Sequence, residues 1–297
     1  MTMNTPALPD LPCYLNGEFS SLQTAKVSVM DRGFIFGDGV YEVVPVYGGR
    51  PFRFAEHLAR LGRSLAELRI PNPMSADEWR ALVSRLVQSL ATAAGAAAPA
   101  DDQLVYIQVT RGVAMRDHAM PQGITPTVFA FANRMTPVKD SDRANGVACV
   151  SADDFRWEKA HIKTTSLLGA VLSRQLSADV GAAETVMFRD GFLSEASASN
   201  VWVVKDGQLM GPPRDNLVLE GIRYGVIEEF CREAGIGFSL RRIARDEVFA
   251  ADELLLSSAT KEVLAITRLD DRPLGSGRPG PIYEKLYALY QRAKLSD

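Results

Sequence analysis

The sequence predicts an α+β protein of two domains, and three observations carry that expectation. The chain has 297 residues, about twice an ordinary domain. Its strand-like and helix-like stretches are grouped in both halves, as segregated layers require. Two Asp-Gly dipeptides, Asp190-Gly191 and Asp206-Gly207, sit between apolar runs, the strongest short-range signal for a β-hairpin.

The first stretch reads as a meander of short strands, CYLNGEF, KVSVMD and GVYEVVPVYGGRPFR, with tight points at Asn16-Gly17 and Gly48-Gly49. Two helices follow. Phe54–Arg69 sets Ala55, Leu58, Leu61, Leu65 and Leu68 on one stripe. Ser75 is the N-cap candidate for the second, which runs toward Ala91 with Trp79, Leu82, Val83 and Leu86 inward. The low-complexity stretch Ala91–Asp102 reads as a fraying helix end and loop. Strands resume at QLVYIQVTR and TVFAFAN. The polar, Pro/Gly-containing NRMTPVKDSDRANG is the linker candidate, which sets domains at residues 1–136 and 137–297.

The second half opens with the strand VACVSADDF and a helix from near Ser166 to Ala178. The two Asp-Gly hairpins follow, then a helix at Arg223–Ala234, strands near Phe238 and Glu253–Ser257, and a terminal helix after Pro281.

Composition excludes several function classes. With 33 Lys+Arg against 36 Asp+Glu the net charge is −3, which argues against a nucleic-acid partner. The nearest basic cluster, Arg241, Arg242 and Arg245, reads as a solvated face. No run of eighteen apolar residues or secretory leader is visible, so neither membrane nor export is expected. Three scattered cysteines, Cys13, Cys149 and Cys231, point to a reducing cytoplasm. The three histidines form no metal-binding pair, so no metal is expected. There is no GxGxxG dinucleotide fingerprint, no phosphate loop and no GxSxG elbow.

Three features stand out. Lysine is scarce, eight residues against 25 arginines, yet Lys163 sits between Ile162 and a Thr-Thr-Ser helix start. An apolar setting there would lower its pKa and suit it to attack a carbonyl. A surface lysine lying along its stem is the commoner reading of the same pattern. Glu195 ends a strand and precedes Ala196, Ser197, Ala198, Ser199 and Asn200, small side chains that admit a bulky group; an exposed strand-edge glutamate reads equally well. Leu219-Glu220-Gly221-Ile222 leads into a helix whose N-terminus could hold a phosphate, although glycine is also an ordinary N-cap.

Together the blocks DRGFIFGDGVYEVVPVY, EHLARL, RGVAMRDH, HIKTTSLLGAVLSRQ, EASASNVW, LEGIR and DELLLSSATKEV resemble the fold-type IV pyridoxal-phosphate enzymes. That family includes D-amino acid, branched-chain and (R)-amine transaminases and aminodeoxychorismate lyases. The resemblance spans nearly the whole chain. It implies a smaller N-terminal α/β domain and a larger, β-barrel-like C-terminal domain carrying the lysine. It also implies pyridoxal 5'-phosphate as cofactor. Lys163 matches the lysine that forms the Schiff base and shuttles the Cα proton. Glu195 matches the carboxylate on the pyridine nitrogen, and Arg60 the phosphate-gripping arginine. Gly221 and Ile222 match the phosphate cup, with Ser258 nearby, and Ser199 and Asn200 line the cofactor. These roles agree with what an anion and an electron-accepting ring require.

Arg116-Asp117-His118 resembles the Arg-x-His of bacterial D-amino acid transaminases, in which the pair joins a tyrosine, matched by Tyr41, to trap the substrate α-carboxylate from the neighbouring subunit. Taken alone, Arg116 and His118 read as a solvated loop before Pro121. With the resemblance, the expectation is a homodimer with sites at the subunit interface, converting D-alanine and 2-oxoglutarate to pyruvate and D-glutamate by a ping-pong route. The alternative is a branched-chain L-amino acid or (R)-amine transaminase; a cofactor-binding protein without catalysis is a third reading. The chain departs from the family pattern at Arg223, Ala259 and Ala198, where hydroxyl side chains are usual. The expectation for Arg223 is that its guanidinium replaces the lost phosphate contact; otherwise it points to solvent.

Overall fold

The computed structural model describes residues 8–93 and 102–296. The chain divides into two units. One runs to Met135 and includes Ile162–Ser166; the other comprises Thr136–His161 and everything from Leu167.

The first unit holds β1 (Pro12–Leu15), β2 (Glu18–Ser21), α1 (Arg32–Phe36), β3 (Gly39–Tyr47), β4 (Arg50–Pro51), α2 (Phe54–Glu67), α3 (Ala76–Ala93), β5 (Gln103–Thr110) and β6 (Thr127–Arg134). Its antiparallel sheet has the order β2-β1-β6-β5-β3-β4. Val40, Val44 and Val46 alternate along β3 onto one buried face. There they pack with Val105, Ile107 and Val109 of β5, Leu61 and Leu65 of α2, and Trp79 and Val83 of α3. Ser75 caps α3: its Oγ accepts from the Glu78 N–H at 3.3 Å, and Glu78 accepts from the Ser75 N–H at 2.7 Å, a reciprocal capping box. KVSVMD, expected as a strand, lies outside the named strands and leads into α1. Asp31 accepts from the Gly33 N–H, and Gly37 ends the helix at φ 65°. Five residues are too few for an apolar period to announce them. Residues 94–101 of the expected fraying end lie outside the described residues.

The segment Ile162–Ser166 groups with the first unit rather than with the second, where the sequence expectation placed the lysine. It pairs with the rim of β3. The Tyr41 N–H donates to the Lys163 carbonyl, the Thr165 N–H donates to the Gly39 carbonyl, and Val40 faces Thr164 in an antiparallel bridge.

The second unit holds α4 (Asp140–Asn145), β7 (Val147–Asp153), α5 (Leu168–Asp179), β8 (Glu184–Arg189), β9 (Phe192–Ala196), β10 (Asn200–Lys205), β11 (Gln208–Gly211), α6 (Arg223–Ala234), β12 (Gly237–Leu240), α7 (Arg245–Phe249), β13 (Glu253–Ser258), β14 (Glu262–Leu269), β15 (Arg272–Pro273) and α8 (Pro281–Ser296). A mixed sheet runs β12-β11-β10-β13-β14-β7-β8-β9, with β15 on β14. Both Asp-Gly turns form their hairpins, with φ of 51° and 79° at Asp190-Gly191 and 50° and 73° at Asp206-Gly207. The expected linker contains the short helix α4. The basic cluster is partly folded onto rings and carboxylates: Arg241 pairs with Glu247, while Arg242 and Arg245 lie over Phe192 and Phe188.

Helix α8 starts on a carboxylate from another element. Glu253, 8% exposed, accepts from the Ile282 and Tyr283 N–H groups at 2.9 Å each. Glu253→Ala is therefore expected to lower stability by about 2 kcal/mol, the scale of a lost cap. A Cβ on Gly280 would lie 2.3 Å from the Glu253 Cδ, so Gly280→Ala should also destabilise. Urea unfolding checks both, and parent-like midpoints for both variants would contradict the capping role.

Candidate active site

In the first unit, the Val40–Thr164 bridge decides where the lysine points. It aligns Thr164, 5% exposed, with the buried face of β3, so Lys163 falls beside Tyr41 on the other. The Lys163 Nζ lies 4.2 Å from the centre of the Tyr41 ring, and its backbone N–H donates to the Ser64 Oγ at 3.2 Å. Tyr41 in turn stacks on Tyr106 at 5.7 Å. Burial, aided by Tyr41, pushes the Tyr106 hydroxyl up to about 12.

Arg60 is 6% exposed and is forked onto Glu42 of β3, Nε to Oε1 and Nη2 to Oε2, both at 2.8 Å. His57 Nδ1 meets the same carboxylate at 2.7 Å. Burial alone would raise the Glu42 carboxyl, but Arg60 and His57 outweigh it and hold it well below the ordinary range. Glu42 thus takes the Nε–Nη2 edge of the Arg60 guanidinium. The sequence expectation named Arg60 and missed Glu42. The signal was present in GVYEVV, where alternation sets Glu42 on the face of Val40 and Val44.

Arg116 and His118 are exposed, on the loop after β5. The Phe36 ring of α1 lies 5.4 Å from the Arg116 guanidinium and 5.4 Å from the His118 ring.

In the second unit, Glu195 is 5% exposed, not an exposed edge residue. Its Oε1 accepts from Arg156 at 2.7 Å; its Oε2 accepts from the Asn200 Nδ2 and the Leu219 N–H, each at 3.1 Å. Burial pushes this carboxyl up, and Arg156, shared with Asp154, offsets only part of the rise. A carboxylate offers about four acceptor positions, so these three donors leave room for one more. Asn200 also donates to the Leu219 carbonyl at 2.8 Å and thereby ties Glu195 to the segment before α6. A Cβ on Gly221 would stand 2.1 Å from the Asn200 Oδ1, so only glycine fits beside it. The first turn of α6 carries no acidic side chain to oppose an anion at its N-terminus.

Arg223 does not point to solvent, the second course considered for it. It is 2% exposed, and its Nε and Nη2 donate to the Tyr290 hydroxyl of α8 at 3.2 and 2.8 Å. Tyrosine on the last helix is about seventy residues away, beyond any local pattern. The small-residue run has a second purpose besides space. Ser197 Oγ, the Ala198 N–H and Ser199 Oγ all donate to Glu184, which is fully buried and also pairs with Lys261. The Ser199 proton is thus directed at Glu184. Ser258 Oγ accepts from the Lys261 N–H at 3.1 Å.

Taken unit by unit, the Lys163 amine of the first suits an aldehyde, while in the second the buried Glu195 carboxylate with room for one donor suits a basic ring nitrogen and the start of α6 suits a phosphate. The chain belongs to the class IV aminotransferases: that family's model matches residues 39–269. It is 35% identical to a D-alanine aminotransferase of Bacillus licheniformis over 284 residues, covering 95% of this chain and 96% of the relative. It resembles a fold IV transaminase from Curtobacterium pusillum, with 27% identity, a TM-score of 0.81 and coverage of 94% and 93%. It shares its fold with a branched-chain aminotransferase from the thermophilic archaeon Thermoproteus uzoniensis, at 24% identity, a TM-score of 0.84 and coverage of 96% and 95%.

Proposed function

We propose that the chain is a D-amino acid transaminase taking D-alanine as donor and 2-oxoglutarate as acceptor. The observation that carries the substrate class is the Arg116-Asp117-His118 loop, held on α1 of the unit that also presents Tyr41 and Lys163. The D-alanine aminotransferase relatives support it.

The cofactor is pyridoxal 5'-phosphate, which when bound supplies an electron sink for the bond broken at the amino acid Cα. Lys163 Nζ is the amine that holds the cofactor and then moves the proton at the substrate Cα. Glu195 would accept a hydrogen bond from the pyridine nitrogen and so favour its protonated form. Asn200 and Arg156 orient that carboxylate. Arg60, the backbone of Gly221 and Ile222 and the hydroxyl of Ser258 bind the phosphate, while Ser199 packs beside the cofactor as a partner of Glu184. Arg223, engaged with Tyr290 through Nε and Nη2, steadies the start of α6, and its guanidinium would replace the phosphate contact of the usual hydroxyl. Tyr41, Arg116 and His118 bind the substrate carboxylate.

The working form is a homodimer. Each unit presents apolar side chains to solvent that a second copy would cover. In the first these are Val29, Phe34 and Met115, at 71%, 70% and 83% exposure; in the second, Leu168, Val171 and Leu172 of α5. None of the described helices is long and apolar enough to cross a membrane, and the three cysteines are free; a cytoplasmic location fits the free thiols.

The test is a spectrum of the cofactor-loaded protein mixed with D-alanine or with L-leucine, without acceptor. Loss of the yellow band with D-alanine alone is the expected result. Bleaching with L-leucine alone would overturn the substrate reading in favour of a branched-chain enzyme.

A further inference from the structure

The segment Asp31–Gly39 belongs to the first block of the family resemblance, and the assignments above give none of its side chains a role of its own. In the structure it is stitched to the loop that follows β5. The Arg32 N–H donates to the Gly112 carbonyl at 2.9 Å, the Ala114 N–H donates to the Met30 carbonyl at 3.3 Å, and Asp31 bridges Val113.

The side chains continue the seam. Arg32 is 4% exposed; its Nε donates to Asp38 at 2.8 Å and its Nη1 to the Asp117 carbonyl at 2.5 Å, the middle of Arg116-Asp117-His118. Asp38 is fixed in turn by a fork from Arg111, which also donates to the Leu68 and Arg69 carbonyls. The Phe36 ring carries Arg32 at 4.7 Å, Arg116 at 5.4 Å and His118 at 5.4 Å. At the other end of α1 the Phe36 and Gly37 carbonyls accept from Ser166, and Gly37 also from Thr165, so the platform is fastened to the lysine segment.

We propose that Arg32 and Phe36 are positioning residues for substrate recognition: Arg32 pins the Asp117 carbonyl while the Phe36 face orients the Arg116 and His118 side chains for an α-carboxylate. The inference rests on the reading of Arg116 and His118 as the carboxylate trap. An exposed arginine and histidine on an unpinned loop would sample many rotamers, and ordering them at each binding event weakens affinity. A loop fixed by one buried guanidinium and one ring has met that cost in folding.

The test compares Arg32→Lys, Phe36→Leu and Arg116→Ala. Lysine keeps a charge for Asp38, but one ammonium cannot span both Asp38 and the Asp117 carbonyl as the guanidinium does. Arg32→Lys is expected to raise KM for D-alanine and for 2-oxoglutarate about tenfold, the scale of a hydrogen bond from a charged donor, with kcat within about threefold. Phe36→Leu should raise both KM values about threefold, the scale of an exposed cation–ring contact. The yellow band of bound cofactor and the melting temperature should match the parent in both. If Arg116→Ala raises KM but both α1 variants keep the parent values, the inference is wrong. It is also overturned if the KM changes appear only with loss of bound cofactor or of thermal stability. If Arg116→Ala itself leaves KM unchanged, the trap reading fails and the inference falls with it.

Discussion

Lys163→Ala is expected to lower turnover of D-alanine at least about 10²–10⁴-fold, the range supplied by a positioned acid–base group, before the lost covalent attachment is counted. The fold should survive. The segment is held by backbone groups: the Lys163 carbonyl accepts from Tyr41, the Lys163 N–H donates to Ser64, and Thr165 donates to Gly39. What is lost is the amine over the Tyr41 ring. Single-turnover measurements with D-alanine and cofactor at saturation separate this from weaker cofactor binding. Turnover within tenfold of the parent under those conditions would remove Lys163 from the chemistry, whatever the fold.

The largest effect on stability should come from Glu42, which looks at first like one more charge in a strand. Both its oxygens serve Arg60, and one also meets His57, with 1% of the residue exposed. Glu42→Ala leaves a guanidinium buried without this counter-charge, a loss expected to cost about 3–5 kcal/mol. Glu42→Gln keeps the shape and should cost less. The carboxyl is held below its ordinary 4.5, so the folded state favours the ionised form. Its contribution is therefore complete above about pH 4.5 and is lost as the pH falls below it. Urea unfolding at neutral pH and near pH 3.5 reads this directly. The parent should lose stability faster than Glu42→Gln on acidification; equal losses would mean that the pair contributes no proton-linked stability.

Local physics made much of the molecule legible in advance. The Asp-Gly hairpins, the stripe of α2, the Ser75 cap and α6 at Arg223–Ala234 each follow from residues near one another in sequence. What escaped depended on distant partners. Strand β14 holds only the short apolar run Val263–Ile266, without alternation and between charged and polar residues, and its pairing with β13, β7 and β15 defines it as a strand. Lys163 stood out by its scarcity and surroundings, but its membership of the first unit depends on bonds to β3 more than a hundred residues earlier. The buried Glu184 pairs with Lys261, a partner 77 residues on that no spacing announces. Arg223 could be marked as unusual at a helix start, while its partner Tyr290 could be found only in three dimensions.

The closeness of Gly221 to Asn200 has a hereditary consequence. A methyl at position 221 would stand 2.1 Å from an amide oxygen whose own amino group secures Glu195 and the Leu219 carbonyl. The two positions are therefore not free to drift separately. A lineage could acquire a side chain at 221 only after position 200 had first become smaller, because the reverse order passes through a chain with a clash at its carboxylate. Alignments of descendants should show that order of change, and a double variant should lose less than the sum of the two single losses.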